Sequence, residues 1–140
     1  MLPQDRKRIL LVDLNGSDAF AWQDRLIVSG FEVMVPFDHA ELCLKLLTWP
    51  PDVVLIDSNQ HTGDVKSLTQ VIRGSARVPI PVVLLSHGAP PRGLQAKVML
   101  KPVALPELLR VLEAAIDQHD EATKDSNDAP AARQSRPRAE

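Results

Sequence analysis

The sequence predicts an α/β fold: a doubly wound, five-stranded parallel sheet with helices on both faces. Three observations predict it. Five short apolar runs recur, at residues 8–12, 32–36, 53–56, 82–85 and 98–100. Most are rich in Val, Ile and Leu without alternation, the pattern of strands covered on both faces. Helical patterns separate them, and strand–helix alternation builds right-handed βαβ units.

Each helix has its own signal. The first is expected from about residue 18 to 29, with Ser17 as N-cap and Gly30 placed to end it. The second opens with Asp38-x-x-Glu41, an acidic relative of the capping box. Leu42 and Leu46, then Cys43 and Leu47, repeat at i,i+4 spacing along its apolar side. The third lies near 65–73, with Leu68, Val71 and Ile72 turned to the core. The last begins around Pro106, a good first-turn residue, and carries the stripe Leu105, Leu108, Leu112 and Ala115. One gap breaks the rhythm. Residues 86–97, "SHGAPPRGLQAK", hold two glycines and a Pro-Pro pair. Both residue types oppose helix, so one turn after Pro91 is the most expected there.

The chain divides into a lead-in (1–7), one domain (8–117) and a tail (118–140) without an apolar face, expected to be disordered. The tail ends in a locally basic segment that includes Arg133, Arg136 and Arg138. A formal net charge of −2 gives the chain no general pull toward nucleic acid or anionic membrane. The apolar run after Arg6, Lys7 and Arg8 is too short for a signal peptide, and no run is long enough to span a membrane. Cys43, the only cysteine, has no internal disulfide partner and reads as a buried thiol, in keeping with a reducing cytoplasm. Trp22 and Trp49 read as packing residues, and His39 and His119 as exposed.

In an open α/β sheet, ligands bind beyond the carboxyl ends of the strands. Those ends are polar here. The first strand ends at Asp13, the third at Asp57, the fourth at Ser86 and the fifth at Lys101. Two carboxylates, a hydroxyl and an ammonium on one sheet edge make a small ion-handling site. No G-x-S-x-G, Gly-rich phosphate loop or G-x-G-x-x-G follows a strand, so hydrolysis and hydride transfer are poorly supported.

At these residues the sequence resembles the receiver domain of two-component response regulators. The resemblance covers about 8–116 and rests on "ILLVD", "GFEV", "PDVVLID", "PVVLLS" and "LKP". It implies a flavodoxin-like fold with Asp57 as phosphoacceptor. It implies that Lys101 pairs with the aspartate or its phosphate, that Ser86 hydrogen-bonds the phosphoryl group and that Pro102 follows a cis peptide. Asp13, Asp57 and the backbone carbonyl of Asn59 are the implied Mg²⁺ ligands. The implied partners are a histidine kinase or phosphotransfer protein and a downstream protein target; a homodimer is a further expectation.

Departures from the family pattern are equally specific. Receivers usually carry an acidic pair after the first strand, but Leu14 follows Asp13 here. Leucine has no lone pair, so weak Mg²⁺ binding is expected. His61 stands where a proline is usual, and Gly63 arrives early. His87 follows the hydroxyl residue and would crowd phosphate access, and Val98 occupies the aromatic switch position. The stretch from Ser86 to Lys101 is short for the family, which removes most of the fourth helix. Two functions follow from different classes. One is an atypical single-domain receiver that takes a phosphoryl group on Asp57; enzyme activity would be self-phosphorylation at most. The other is a pseudo-receiver that docks protein partners without phosphate, its Asp57 retained to pair with Lys101. A Zn²⁺ site from His61, His87, Asp13 and Asp57 is a minor alternative.

Overall fold

A computed structural model describes residues 6–13, 19–58, 63–89 and 92–134 of the 140. Nine elements follow in order: β1 (Arg8–Asp13), α1 (Ala19–Val28), β2 (Glu32–Met34), α2 (His39–Thr48), β3 (Val53–Asp57), α3 (Gly63–Ser75), β4 (Val82–Ser86), β5 (Lys97–Leu100) and α4 (Leu105–Gln134). The strands form one sheet in the order β2-β1-β3-β4-β5, and every neighbouring pair is parallel. This is the doubly wound, five-stranded architecture expected from the sequence.

The two-residue period of a strand divides the apolar residues between two cores. Ile9, Leu11, Val53, Leu55, Val83 and Leu85 face one side, where Leu26 of α1 and Leu108, Leu112 and Ile116 of α4 cover them. Leu10, Val12, Val54, Ile56, Val82 and Leu84 face the other, against Leu42 and Leu46 of α2 and Val65, Leu68 and Ile72 of α3. All residues of β3 and β4 are buried, as strands between two helical layers require. Trp22 packs on the first core and Trp49 on the second, in the packing role expected of each.

The strand starts are tied by polar contacts opposite the carboxyl ends. The Arg8 amide donates to Asp52 at 2.7 Å, and its guanidinium pairs with Glu32 at 3.3 Å. The same guanidinium lies 5.0 Å from the centre of the Trp49 ring. These contacts bind the starts of β1, β2 and β3 through one side chain and its amide.

Three details differ from the expected elements. β2 stops at Met34 rather than near residue 36, where Pro36 has no N–H for a ladder. On α2, Leu42 and Leu46 are buried but Leu47 is exposed and Cys43 half-buried, because only one narrow side of the helix meets the sheet. The Ser75 hydroxyl lies 3.6 Å from the Cys43 sulfur. The third correction concerns the tail, expected to be disordered from residue 118; α4 continues to Gln134. Past Ile116 the segment holds poor helix formers such as Asp125, Ser126 and Asn127, and Pro130 lies within it, so local propensity does not account for the continuation. His119 is half-buried rather than exposed. The proposed Ser17 cap lies outside the described residues.

Between β4 and β5 the described residues contain no helix, only a turn at Arg92–Gly93. Gly93 has a φ of 76°, a left-handed conformation that glycine adopts without strain. Leu94, Ala96 and Val98 lie against the second core where a helix would otherwise sit, and Leu100 is left exposed. The Pro- and Gly-rich composition of this stretch had predicted that outcome.

Candidate phosphoacceptor site

Parallel pairing brings the candidate residues to one edge, in register between β1 and β3 and one residue out between β3 and β4, where Asp57 lies opposite Leu85. Asp13 of β1 is the register partner of Asp57 of β3, so the two carboxylate-bearing residues end neighbouring strands about 4.8 Å apart. Ser86 ends β4 and pairs in register with Leu100, the residue before Lys101. Two further backbone bonds continue the ladder beyond the strands. The Ser58 amide donates to the Leu85 carbonyl at 2.9 Å, and the Lys101 amide donates to the Ser86 carbonyl at 2.8 Å. The peptide between Lys101 and Pro102 is cis, as the resemblance implied.

Asp57 is the centre of the arrangement. Its side chain is 1% exposed, and the Lys101 ammonium, 10% exposed, forms an ion pair with Oδ1. An isolated carboxylate at that depth would be strongly disfavoured; the ammonium supplies the compensating charge. Asp13 is half-buried at the rim. Ser86 is buried, and its hydroxyl lies 3.0 Å from the Gly88 carbonyl, to which it donates. The same oxygen accepts from the Gly88 amide at 3.3 Å.

The structure thus joins Asp57 to Lys101 and sets Asp13 and Ser86 on the flanking strands. Leu14, Asn59 and His61 lie outside the described residues, so the expected carbonyl ligand and the altered loop after Asp57 have no described geometry. His87 is exposed. Val98 is half-buried against the second core. Among the described residues, no three of His, Cys, Asp and Glu gather as a metal ligand set. Asp13 and Asp57 are nevertheless suited to Mg²⁺, which binds through one or two carboxylates completed by phosphate oxygens and water. Sequence reasoning missed the hold of Gly88 on Ser86. The signal was there, since a serine two residues before a glycine invites a side-chain-to-backbone turn.

The fold is that of a response-regulator receiver domain, the domain type of two-component systems. The transcriptional regulatory protein PrrA of Mycobacterium leprae is 32% identical over 116 residues, covering 78% of this chain and 49% of that protein. The chain therefore spans about half the length of the curated relative it matches. A CheY-like receiver domain from Methanospirillum hungatei superposes with a TM-score of 0.70 at 19% identity, over 84% of this chain and 98% of that one. The receiver domain of a sensor histidine kinase from Pseudomonas aeruginosa, solved with a magnesium ion coordinated in its active-site cleft, superposes at 0.65 with 24% identity, over 80% and 98%. No protein-family model matches the chain. No helix among the described residues is long and apolar enough to cross a membrane.

Proposed function

We propose that this domain accepts a phosphoryl group on Asp57 from the phosphohistidine of a kinase or phosphotransfer protein, and that the modified domain binds a cytoplasmic protein target differently. The observation that carries this reading is the buried Asp57–Lys101 ion pair at the carboxyl edge of the sheet, flanked by Asp13 and Ser86. Phosphoryl transfer needs an oxygen nucleophile and positive charge on the equatorial oxygens. One Asp57 oxygen attacks phosphorus as the P–N bond to the donor histidine breaks, and the electron pair leaves with the imidazole. Lys101 then balances charge on the phosphoryl oxygens. Asp13, Asp57 and the Asn59 carbonyl are the residues that would hold Mg²⁺, which supplies further charge neutralisation. The new phosphoryl group adds a charge of about −1.5 to −2 and strong acceptors beside Ser86. Its competition with Gly88 for the Ser86 hydroxyl gives the β4–β5 loop a reason to rearrange.

A second reading is favoured by two observations. Leu14 replaces an expected metal-ligating acid, and the Asp57 side chain is almost wholly buried beneath its lysine. On that reading the ion pair is structural and the domain docks a protein without phosphate. Beryllium fluoride, a phosphoryl mimic, separates the two when added with Mg²⁺ under amide NMR. Acceptor chemistry predicts shifts centred on Ser58, Ser86, Gly88 and Lys101. A spectrum unchanged at saturating mimic would favour the docking module.

A further inference from the structure

We propose that the outer side of α2 is a self-association surface, on which a second copy of this chain docks through its own α2 in antiparallel orientation. This inference is independent of the phosphoryl chemistry. Phe37, Leu44 and Leu47 are 89%, 54% and 45% exposed. Ala40, also exposed, falls at i, i+4 and i+7 spacing with Leu44 and Leu47, so the three share one side of the helix. Leu42 and Leu46 fill the opposite, sheet-facing side. A helix that only covers a sheet needs one apolar stripe, and α2 carries two.

Phe37, just before the helix, is also exposed. It precedes the N-cap Asp38, a position where an apolar residue commonly packs onto the fourth helical residue, here Leu42. The cap itself is formed: the Asp38 carboxylate accepts from the Glu41 amide at 2.9 Å, and the Glu41 carboxylate accepts from the Phe37 amide. The backbone of Phe37 is held while its ring stays in solvent, so the missing staple leaves a large aromatic surface available to a partner.

Charge at the rim indicates a second copy. Glu41 and Lys45 lie one turn apart on the same flank of the stripe. Two α2 helices that cross antiparallel about a twofold axis near Cys43 and Leu44 bring equal flanks together. Glu41 of each copy then faces Lys45 of the other, and Leu47 of each lies over Ala40 of the other, large against small. A twofold interface doubles every such match. Parallel twofold pairing would instead carry the Glu41–Lys45 flanks of the two copies to opposite sides of the interface, where they could not pair. Because α2 has ten residues, about 15 Å of helix, the contact is small and the dimer belongs to the weak, concentration-dependent class.

Sedimentation equilibrium of the full chain over a wide concentration range tests the proposal, with far-UV circular dichroism to confirm folding. The chain is expected to dimerise reversibly, and Leu44→Glu, which sets like charges together at the axis, to weaken the dimer roughly tenfold or more. Glu41→Lys and Lys45→Glu should each weaken it alone, whereas an equimolar mixture of those two variants should form a heterodimer. Monomer at every concentration, a dimer insensitive to Leu44→Glu, or a mixture that associates no better than its components would each overturn the proposal.

Discussion

Replacement of Lys101 by methionine lowers folding stability by about 3–5 kcal/mol, the usual cost of removing one partner from a buried ion pair. The magnitude follows from burial: Asp57 is 1% exposed and Lys101 10%. Without the ammonium, the carboxylate keeps its desolvation penalty and loses its compensating charge. The converse substitution, Asp57→Asn, costs less, because an amide replaces the carboxylate and the longer lysine stem can carry its charge to water. The double variant Asp57→Asn/Lys101→Met recovers part of the loss, since neither partner then buries an uncompensated charge. Urea unfolding of the four proteins gives the coupling as a double-mutant cycle. Additive losses would show that the pair is not what settles Asp57 in its pocket.

Substitution of Leu14 by aspartate raises Mg²⁺ affinity roughly tenfold or more, because Mg²⁺ demands hard oxygen ligands in near-octahedral geometry. Leu14 immediately follows Asp13, whose strand end lies beside Asp57, so the substitution restores an acidic pair in the sequence next to those two carboxylates. Clustered carboxylates repel one another, and a divalent cation relieves that repulsion. Isothermal titration of both proteins with Mg²⁺ measures the change. Equal affinities would remove position 14 from the metal site and leave the weak acidic pattern without its expected consequence.

Much of this architecture is legible in the chain itself. Strands buried on both faces need continuous apolar runs, and the runs in β3 and β4 are long enough to be unambiguous. The convergence of Asp57 with Lys101 was legible because parallel strands deliver their C-terminal residues to one edge. The missing helix before β5 was legible because Pro and Gly oppose helix locally, whatever the tertiary context.

What the sequence hid has physical causes too. The continuation of α4 to Gln134 is not legible because the segment has no apolar face and contains Asp125, Ser126, Asn127 and Pro130, which all disfavour helix. The exposed side of Leu47 is hidden for a different reason. Periodicity shows that a helix is apolar, but not which of two apolar sides meets the sheet. The capture of Ser86 by Gly88 depends on the path of a loop that no period describes. Placement was therefore legible where strands carry the candidate residues and illegible where loops do.

A phosphoacceptor Asp57 served by Lys101, Ser86 and a divalent cation should take a phosphoryl group from a small donor. The most direct test is intact-mass spectrometry after incubation with acetyl phosphate or phosphoramidate, with and without Mg²⁺, beside Asp57→Asn. The expected result is a single phosphoryl adduct that requires Mg²⁺ and is lost in Asp57→Asn. A folded protein that gains no adduct, or one that keeps its adduct after Asp57→Asn, would contradict it.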